Sequence, residues 1–199
     1  MTPIEASAEA LKICKLAPVI PVLVVHNVED ARPLAEALVE GGLPALEVTL
    51  RTPAALEVIA EMAKGEGGVV GAGTLLTRDD VQRAKDAGAL FGVSPGATDR
   101  LRDAVEESDL PKLPGASTAT EAMRLLERGY TTQKFIPAEA SGGAPALKSL
   151  ASPLPQITFC PTGGVSVNNA ESYLSLPNTL CVGGSWVAPN TMVQNGDWR

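Results

Sequence analysis

The sequence of 199 residues contains a single histidine, His26. Hydrolases with a Ser-His-Asp or Cys-His arrangement need a histidine to carry the proton, and zinc hydrolases usually need two or three histidine ligands. Basic residues are also few, since 16 Lys and Arg oppose 23 Asp and Glu and leave a net charge of -7. A protein that binds nucleic acid normally has the opposite excess, because it neutralises phosphates. The composition therefore disfavours these hydrolases and nucleic-acid binding.

Cysteines and long apolar runs are scarce as well. The three cysteines lie far apart in the sequence without a C-x-x-C pair, which argues for a reducing compartment and against a disulfide framework or a structural zinc. The longest apolar run, residues 18–25, is much shorter than the ~20 residues of a membrane helix. The first residues include acidic side chains and lack the apolar stretch of a signal peptide. These features predict a cytoplasmic protein with no membrane segment and no metal site.

Two kinds of segment alternate along the chain, punctuated by 19 glycines and 16 prolines. Short apolar segments predict eight strands, at 19–25, 45–49, 68–71, 90–93, 112–114, 133–136, 156–160 and 180–182. Amphipathic segments predict helices at 30–40, 53–63, 78–87, 98–107, 118–128, 143–151 and 167–175, after an extra N-terminal helix at 4–16. The alternation predicts a compact (β/α)8 TIM barrel, a single domain over residues 1–199. A doubly wound sheet is the alternative, but it normally uses five or six strands.

One lysine lies within a segment that is predicted to be a buried strand of the barrel. Lys134 lies in Gln-Lys-Phe-Ile-Pro, among strand-forming apolar residues. An ammonium group is costly to bury, so a lysine that points into the barrel favours the neutral amine that Schiff-base chemistry needs. The alternative is a lysine whose stem packs outward and whose charged end reaches water. Lys112 occupies a similar strand without polar companions, and for Lys112 we favour the second interpretation.

A second strand carries charges inside an apolar segment. Alternation places Glu47, Thr49 and Arg51 on one face of this strand. Helices could not cover that face without burying two charges, so we expect it to point into the barrel. A carboxylate, a hydroxyl and a guanidinium on one interior face suggest an acid–base group beside an anion clamp. The alternative is a structural ion pair between Glu47 and Arg51.

Glycines follow the last two predicted strands. Thr162-Gly163-Gly164 ends the seventh strand, and Gly183-Gly184-Ser185 ends the eighth. Barrels frequently bind phosphate in these two loops, through backbone N–H groups and a helix N-terminus, which the sequence predicts here near Val167. The alternative is that the glycines only permit tight turns.

In combination, these segments resemble the aldolases that act on 2-keto-3-deoxy-6-phosphogluconate (KDPG) and 4-hydroxy-2-oxoglutarate (KHG), which are class I enzymes of the Entner–Doudoroff pathway. The resemblance covers essentially the whole chain. It is carried by Leu46-Glu-Val-Thr-Leu-Arg-Thr52, Gly71-Ala-Gly-Thr74, Ser94-Pro-Gly96, Pro114-Gly115, Lys134-Phe-Ile-Pro-Ala-Glu139 with Gly142-Gly143, Phe159-Cys-Pro-Thr-Gly-Gly164 and Gly183-Gly-Ser-Trp186. Each segment is short, but their combination in this order is highly specific.

The resemblance implies roles for eight residues. Lys134 matches the Schiff-base lysine, and Glu47 matches the general acid/base. The matching binding residues are Arg51 and Thr74 for the pyruvate carboxylate, Thr162 for the substrate, and Gly163, Gly164 and Ser185 for its phosphate. The resemblance implies cleavage of KDPG, a phosphorylated keto acid, to pyruvate and glyceraldehyde 3-phosphate, with KHG as a further substrate. It also implies a homotrimer that uses no metal and no cofactor.

The sequence departs from the family pattern at two places. Ile136 stands where family members commonly have phenylalanine, and the chain stops at Arg199 where they usually continue, which predicts a missing or curtailed last helix. Two other activities stay open at this point. The same lysine could cleave the galactonate epimer, or the chain could bind or isomerise a phosphosugar without covalent chemistry. Borohydride trapping with pyruvate separates covalent from non-covalent activities, because only an aldolase gains a stable adduct.

Overall fold

Parallel strands alternate with helices in the structure, a computed structural model that describes residues 1–198. The strands are β1 (Val19–Leu23), β2 (Ala45–Thr49), β3 (Val69–Gly73), β4 (Phe91–Val93), β5 (Lys112–Leu113), β6 (Gly115–Ala116), β7 (Thr132–Phe135), β8 (Thr158–Pro161) and β9 (Val182–Gly184). The helices are α1 (Pro3–Cys14), α2 (Ala31–Glu40), α3 (Ala55–Met62), α4 (Arg78–Asp86), α5 (Asp99–Ser108), α6 (Ala119–Arg128), α7 (Gly143–Leu150), α8 (Ala170–Leu174) and α9 (Asn190–Gln194). None of the helices in this described part has the length and apolar composition needed to cross a membrane.

The strands pair in chain order around a curled sheet. Six of them are hydrogen-bonded in the order β5-β4-β3-β2-β1-β9, and three in the order β6-β7-β8. β5 and β6 are separated only by Pro114, which has no N–H to give to a ladder. Two isolated parallel bridges, Phe159 with Thr179 and Thr162 with Gly183, connect the β8 and β9 segments. The result is a barrel-like α/β fold in which the carboxyl ends of the strands lie at one end.

Alternation sorts the side chains of β2 to two sides of the sheet. Leu46 and Val48 pack with Val58 of α3 in an apolar cluster between the sheet and the helices. Glu47 and Thr49 alternate with them and are buried on the interior side. The face that the sequence predicted for these polar residues is therefore the interior one.

The three cysteines, which are far apart in the sequence, meet in one buried cluster. Cys14 ends α1, and the Cys181 thiol hydrogen-bonds with both Cys14 and Cys160. Together with burial, these hydrogen bonds raise the pKa of Cys181 well above its usual value. The thiols pack with Ile20 and Phe91, so Cys14 joins the end of α1 to this apolar cluster.

Several element ends differ from those predicted. β3 extends to Gly73 and β9 to Gly184, because glycines that mark turns in a sequence pattern here stay in the ladder. α8 begins at Ala170 rather than near Val167, since the Asn169 side chain accepts from Ser166 N–H and holds the preceding residues in turns. After β9, the predicted missing or curtailed last helix corresponds to the five residues of α9.

The structure contradicts our interpretation of Lys112. Its side chain is fully buried, and its Nζ has no hydrogen-bond partner within residues 1–198. Burial, and then the nearby Arg102 guanidinium, lower the pKa of Lys112 to about 7, while Glu106 acts in the opposite direction. Both of these charged residues belong to α5. The stem does not carry the amine to water, because the amine is enclosed close to these two residues of α5.

Candidate active site

A cavity of about 350 Å³ opens at the carboxyl ends of the strands. Among the residues that line it are all eight that the sequence singled out: Glu47, Arg51, Thr74, Lys134, Thr162, Gly163, Gly164 and Ser185. These residues come from five different strands or the loops that follow them, so the fold brings together positions as much as 138 residues apart from Glu47 to Ser185. Within the described part of the chain, no group of three or more His, Cys, Asp or Glu side chains is arranged to hold a metal ion.

Lys134 and Glu47 form a buried ion pair at the base of the cavity. The Lys134 Nζ lies 3.0 Å from Glu47 Oε1 and 3.3 Å from Oε2. Their side chains are only 5% and 4% exposed. The contact lets the carboxylate take a proton from the ammonium, which frees the amine lone pair for attack on a ketone. The alternative of a structural pair between Glu47 and Arg51 is wrong, because the partner of Glu47 is Lys134.

The Glu47 carboxylate has room because residue 73 is a glycine. A Cβ at Gly73 would overlap this carboxylate and lie 2.9 Å from its Cδ. The next residue, Thr74, has a φ of 61°, a left-handed conformation that is strained for a β-branched side chain. The segment Gly71-Ala-Gly-Thr74 thus makes space for the Glu47 carboxylate and then turns the chain along the cavity.

Arg51 lies in the turn after β2 with an exposed side chain. Its Nε donates to Thr49 Oγ1 at 3.1 Å, and this hydroxyl donates to the Leu23 carbonyl oxygen at 2.8 Å. Across residues 1–198, no carboxylate lies within ion-pair distance of the Arg51 guanidinium. One edge of the guanidinium is therefore fixed, while the remaining N–H groups are available to an anion that enters the cavity.

The glycine loops after β8 and β9 line the other side of the cavity. Gly163 and Gly164 have φ values of 100° and 77°, which favour glycine. Their two N–H groups donate to no acceptor in the described part of the chain. The predicted helix N-terminus is not at this loop, since α8 begins six residues after Gly164 and is short. The groups that can bind an anion here are therefore these backbone N–H groups and the Ser185 hydroxyl.

Thr162 connects the cavity to the cysteine cluster beneath it. Its Oγ1 lies 4.0 Å from the Cys160 sulfur. The pKa of the Cys160 thiol is lowered, first by its hydrogen bond with Cys181 and then by the Lys134 ammonium. The three buried cysteines thus lie under Lys134 and Glu47.

Sequence reasoning did not identify several apolar residues that line the cavity, among them Val22, Pro95 and Val165. Val22 could have been found, because alternation puts it on the same interior face of β1 as the buried Ile20. Pro95 follows β4 much as Arg51 follows β2, but an apolar side chain gives no chemical signal there. The same is true of Val165, which lies just beyond the glycine loop.

Comparison with known proteins gives a consistent result. Residues 11–199 match the sequence model of the family described as "Aldolase: KDPG and KHG aldolase". The 2-dehydro-3-deoxy-phosphogluconate aldolase of Pseudoalteromonas atlantica is 50% identical over 182 residues, which cover 91% of this chain and 85% of that one. The KHG/KDPG aldolase of Escherichia coli K12 is 45% identical over 195 residues, with coverage of 98% and 91%. A crystal structure of KDPG aldolase from Legionella pneumophila, with pyruvate captured as a covalent carbinolamine, superposes with a TM-score of 0.92 at 44% identity and covers 94% of this chain and 92% of that one.

Proposed function

Since this chain belongs to the KDPG and KHG aldolase family, we propose that it cleaves KDPG to pyruvate and glyceraldehyde 3-phosphate through a Schiff base on Lys134. The chain is a carbon–carbon lyase. The observation that carries the assignment of Lys134 is its buried contact with Glu47, 3.0 Å long, inside a cavity that offers anion-binding groups at two places. The name of the Escherichia coli relative includes KHG, which supports KHG as a second substrate of this chain.

The proposed reaction begins when the Lys134 amine attacks the C2 ketone. Loss of water gives an iminium, and Glu47, through a bridging water, removes the proton of the C4 hydroxyl. The C3–C4 bond then breaks, and its electron pair moves into the iminium to form an enamine. Glyceraldehyde 3-phosphate leaves, the enamine is protonated at C3, and hydrolysis releases pyruvate and restores the amine. The iminium acts as the electron sink of the cleavage step.

The two anionic ends of the substrate fit the two anion-binding regions. We assign the carboxylate to Arg51 and Thr74, beside Glu47. We assign the phosphate to the N–H groups of Gly163 and Gly164 and to the Ser185 hydroxyl, with Thr162 between the two regions. The charges support this orientation, because Arg51 has no ion-pair partner among the described residues while Lys134 is already balanced by Glu47.

The curled sheet supports a complete (β/α)8 barrel preceded by α1, as a single domain over residues 1–199. In favour of this proposal, pairing is continuous from β9 through β1 to β5 and from β6 to β8, and parallel bridges connect β8 with β9. Family membership supports a homotrimer. The substrate supports a cytoplasmic location, because an ionised phosphate is too costly to transfer into a bilayer and is retained where it is made.

Arg51→Lys is expected to lower kcat/KM for KDPG about 10-fold. The ammonium keeps the positive charge, but it loses both the planar pair of N–H groups and the Nε bond that fixes the side chain to Thr49. Steady-state kinetics check this result. The matched control is Arg32→Lys, an exposed arginine of α2 that pairs with Glu36, and it should leave kcat/KM unchanged. An unaffected Arg51→Lys enzyme would remove Arg51 from the carboxylate site.

Ser185→Ala is expected to lower kcat/KM for KDPG by about one order of magnitude, since a hydrogen bond to a charged group contributes roughly 1.5–3 kcal/mol. KHG has no phosphate, so its kcat/KM should change little. The measurement compares kcat/KM for KDPG and for KHG in one preparation of the enzyme. Pyruvate trapping serves as the control and should persist, because the Lys134 end is untouched. Equal losses on the two substrates would mean that the phosphate binds elsewhere.

A further inference from the structure

The loop that carries Gly163 and Gly164 rests on the segment that follows β7. Ala138 N–H donates to the Thr162 carbonyl oxygen at 2.8 Å, and Glu139 N–H donates to that of Gly163 at 3.0 Å. A Cβ on Gly164 would lie 2.6 Å from the Cγ of Glu139 and 2.7 Å from its Cβ. The backbone and the stem of Glu139 are thus in direct contact with the two residues whose N–H groups we assign to the phosphate.

The carboxylate of Glu139 is held from the opposite side by a tyrosine. Tyr173 lies on α8 with no exposed surface, and its hydroxyl donates to Glu139 Oε1. Burial and this hydrogen bond raise the pKa of Tyr173, so the phenol keeps its proton at neutral pH and stays a donor. Neither residue lines the cavity, and neither has a part in the proposed reaction.

We propose that Glu139 and Tyr173 are positioning residues that set the place of the Gly163 and Gly164 N–H groups and thereby the affinity for the phosphate end of the substrate. This inference rests on the proposed function. Two successive glycines in left-handed conformations give the loop little stiffness of its own. A contact that fixes the loop before the substrate arrives reduces the conformational entropy lost on binding.

The contact between Tyr173 and Glu139 acts only on the end of the cavity that we assign to the phosphate. Lys134 and Glu47 stand on β7 and β2 and hold each other directly. Loss of the Tyr173 hydroxyl should therefore weaken binding of the phosphate without a matching effect on the covalent steps. This separation distinguishes a positioning role from a general contribution to folding.

The test is Tyr173→Phe, which removes one hydroxyl and keeps the buried ring. We expect KM for KDPG to rise about 5-fold, which is less than for the loss of a direct hydrogen bond to the phosphate, because the Tyr173 hydroxyl acts through the loop. KM for KHG, kcat for both substrates and pyruvate trapping should stay within about twofold of the parent enzyme. Glu139→Ala is the second variant, since Glu139 is exposed and its replacement does not open a core cavity. It should match Tyr173→Phe, and the double variant should be no worse than either single one.

Two matched variants control the experiment. Glu139→Gln keeps an oxygen that can accept from Tyr173, so its KM for KDPG should be close to that of the parent. Tyr130→Phe removes the hydroxyl of an equally buried tyrosine that donates to Glu106 at 3.4 Å, away from the cavity, and should leave both KM values unchanged.

The outcomes separate this inference from the function on which it rests. If Ser185→Ala weakens KDPG selectively while Tyr173→Phe and Glu139→Ala do not, the positioning role is overturned and the phosphate site stands. If Ser185→Ala shows no selectivity for KDPG, both are overturned. A Tyr173→Phe enzyme that is impaired equally on KDPG and KHG would show a structural role only, and this also overturns the inference.

Discussion

Lys134→Ala is expected to lose both the borohydride-trapped pyruvate adduct and the cleavage of KDPG, with kcat lower by on the order of 10⁴-fold or more. No other amine lines the cavity within residues 1–198, so nothing in the described site can form the Schiff base in its place. The measurement is mass spectrometry of the intact chain after reduction with pyruvate, together with the cleavage rate. Circular dichroism shows whether the fold is kept.

Lys112 provides the matched control for this experiment. It is the other buried lysine of a strand, but its amine lies beneath α5 rather than in the cavity. Lys112→Met should therefore keep the pyruvate adduct, and peptide mapping of the parent should locate the adduct on Lys134. An adduct that survives in Lys134→Ala, or disappears in Lys112→Met, would show that the nucleophile is misassigned.

Lys112→Met is expected to raise the free energy of unfolding by on the order of 4 kcal/mol at pH 7. The folded-state pKa of Lys112 is about 7, against an ordinary value of 10.5, because the amine is buried without a hydrogen-bond partner in the described part of the chain. The unfolded chain binds the proton more strongly, so this lysine opposes folding, and methionine of similar length removes the opposition.

The same difference in pKa makes the effect of Lys112 on the free energy of unfolding depend on pH. Below pH 7 the free energy by which Lys112 opposes folding is constant. It declines as the pH rises from 7 toward 10.5, the pKa of this lysine in the unfolded chain. The advantage of Lys112→Met should therefore shrink to about 2 kcal/mol near pH 9. Urea unfolding of both proteins at pH 7 and pH 9 measures this change. The exposed Lys148 of α7 supplies the control, since Lys148→Met should have almost no effect at either pH. A destabilised Lys112→Met protein, or an advantage independent of pH, would contradict the prediction.

The two buried charged residues of the cavity could be predicted from the sequence because a charge inside an apolar strand has few explanations. Glu47 and Lys134 stood out for this reason, and alternation gave the correct face for Glu47. Their contact could not be predicted, since it joins residues of β2 and β7 that are 87 positions apart, and only the closed arrangement of strands sets that distance. The family resemblance, by contrast, depends on several segments in order, and the match over residues 11–199 confirms it.

Lys112 shows where local reasoning reaches its limit. Its segment resembles that of Lys134, and both lysines are buried, but one faces the interior and the other faces α5. Whether a long side chain reaches water depends on the helix that packs over it, and a strand pattern does not contain that information. The start of α8 was mispredicted for a similar reason, since the side-chain bonds of Asn169 delay the helix.

Gly73 and Glu47 are also coupled in the way the sequence can change over evolution. Gly73 is excluded from becoming alanine by the carboxylate that a Cβ would overlap, and not by its backbone conformation, since its φ is not in the left-handed region. A lineage that keeps Glu47 as its acid–base group must therefore keep glycine at position 73. A shorter acid at position 47 would release this constraint, so the two positions are expected to change in that order, the acid first and the glycine afterwards.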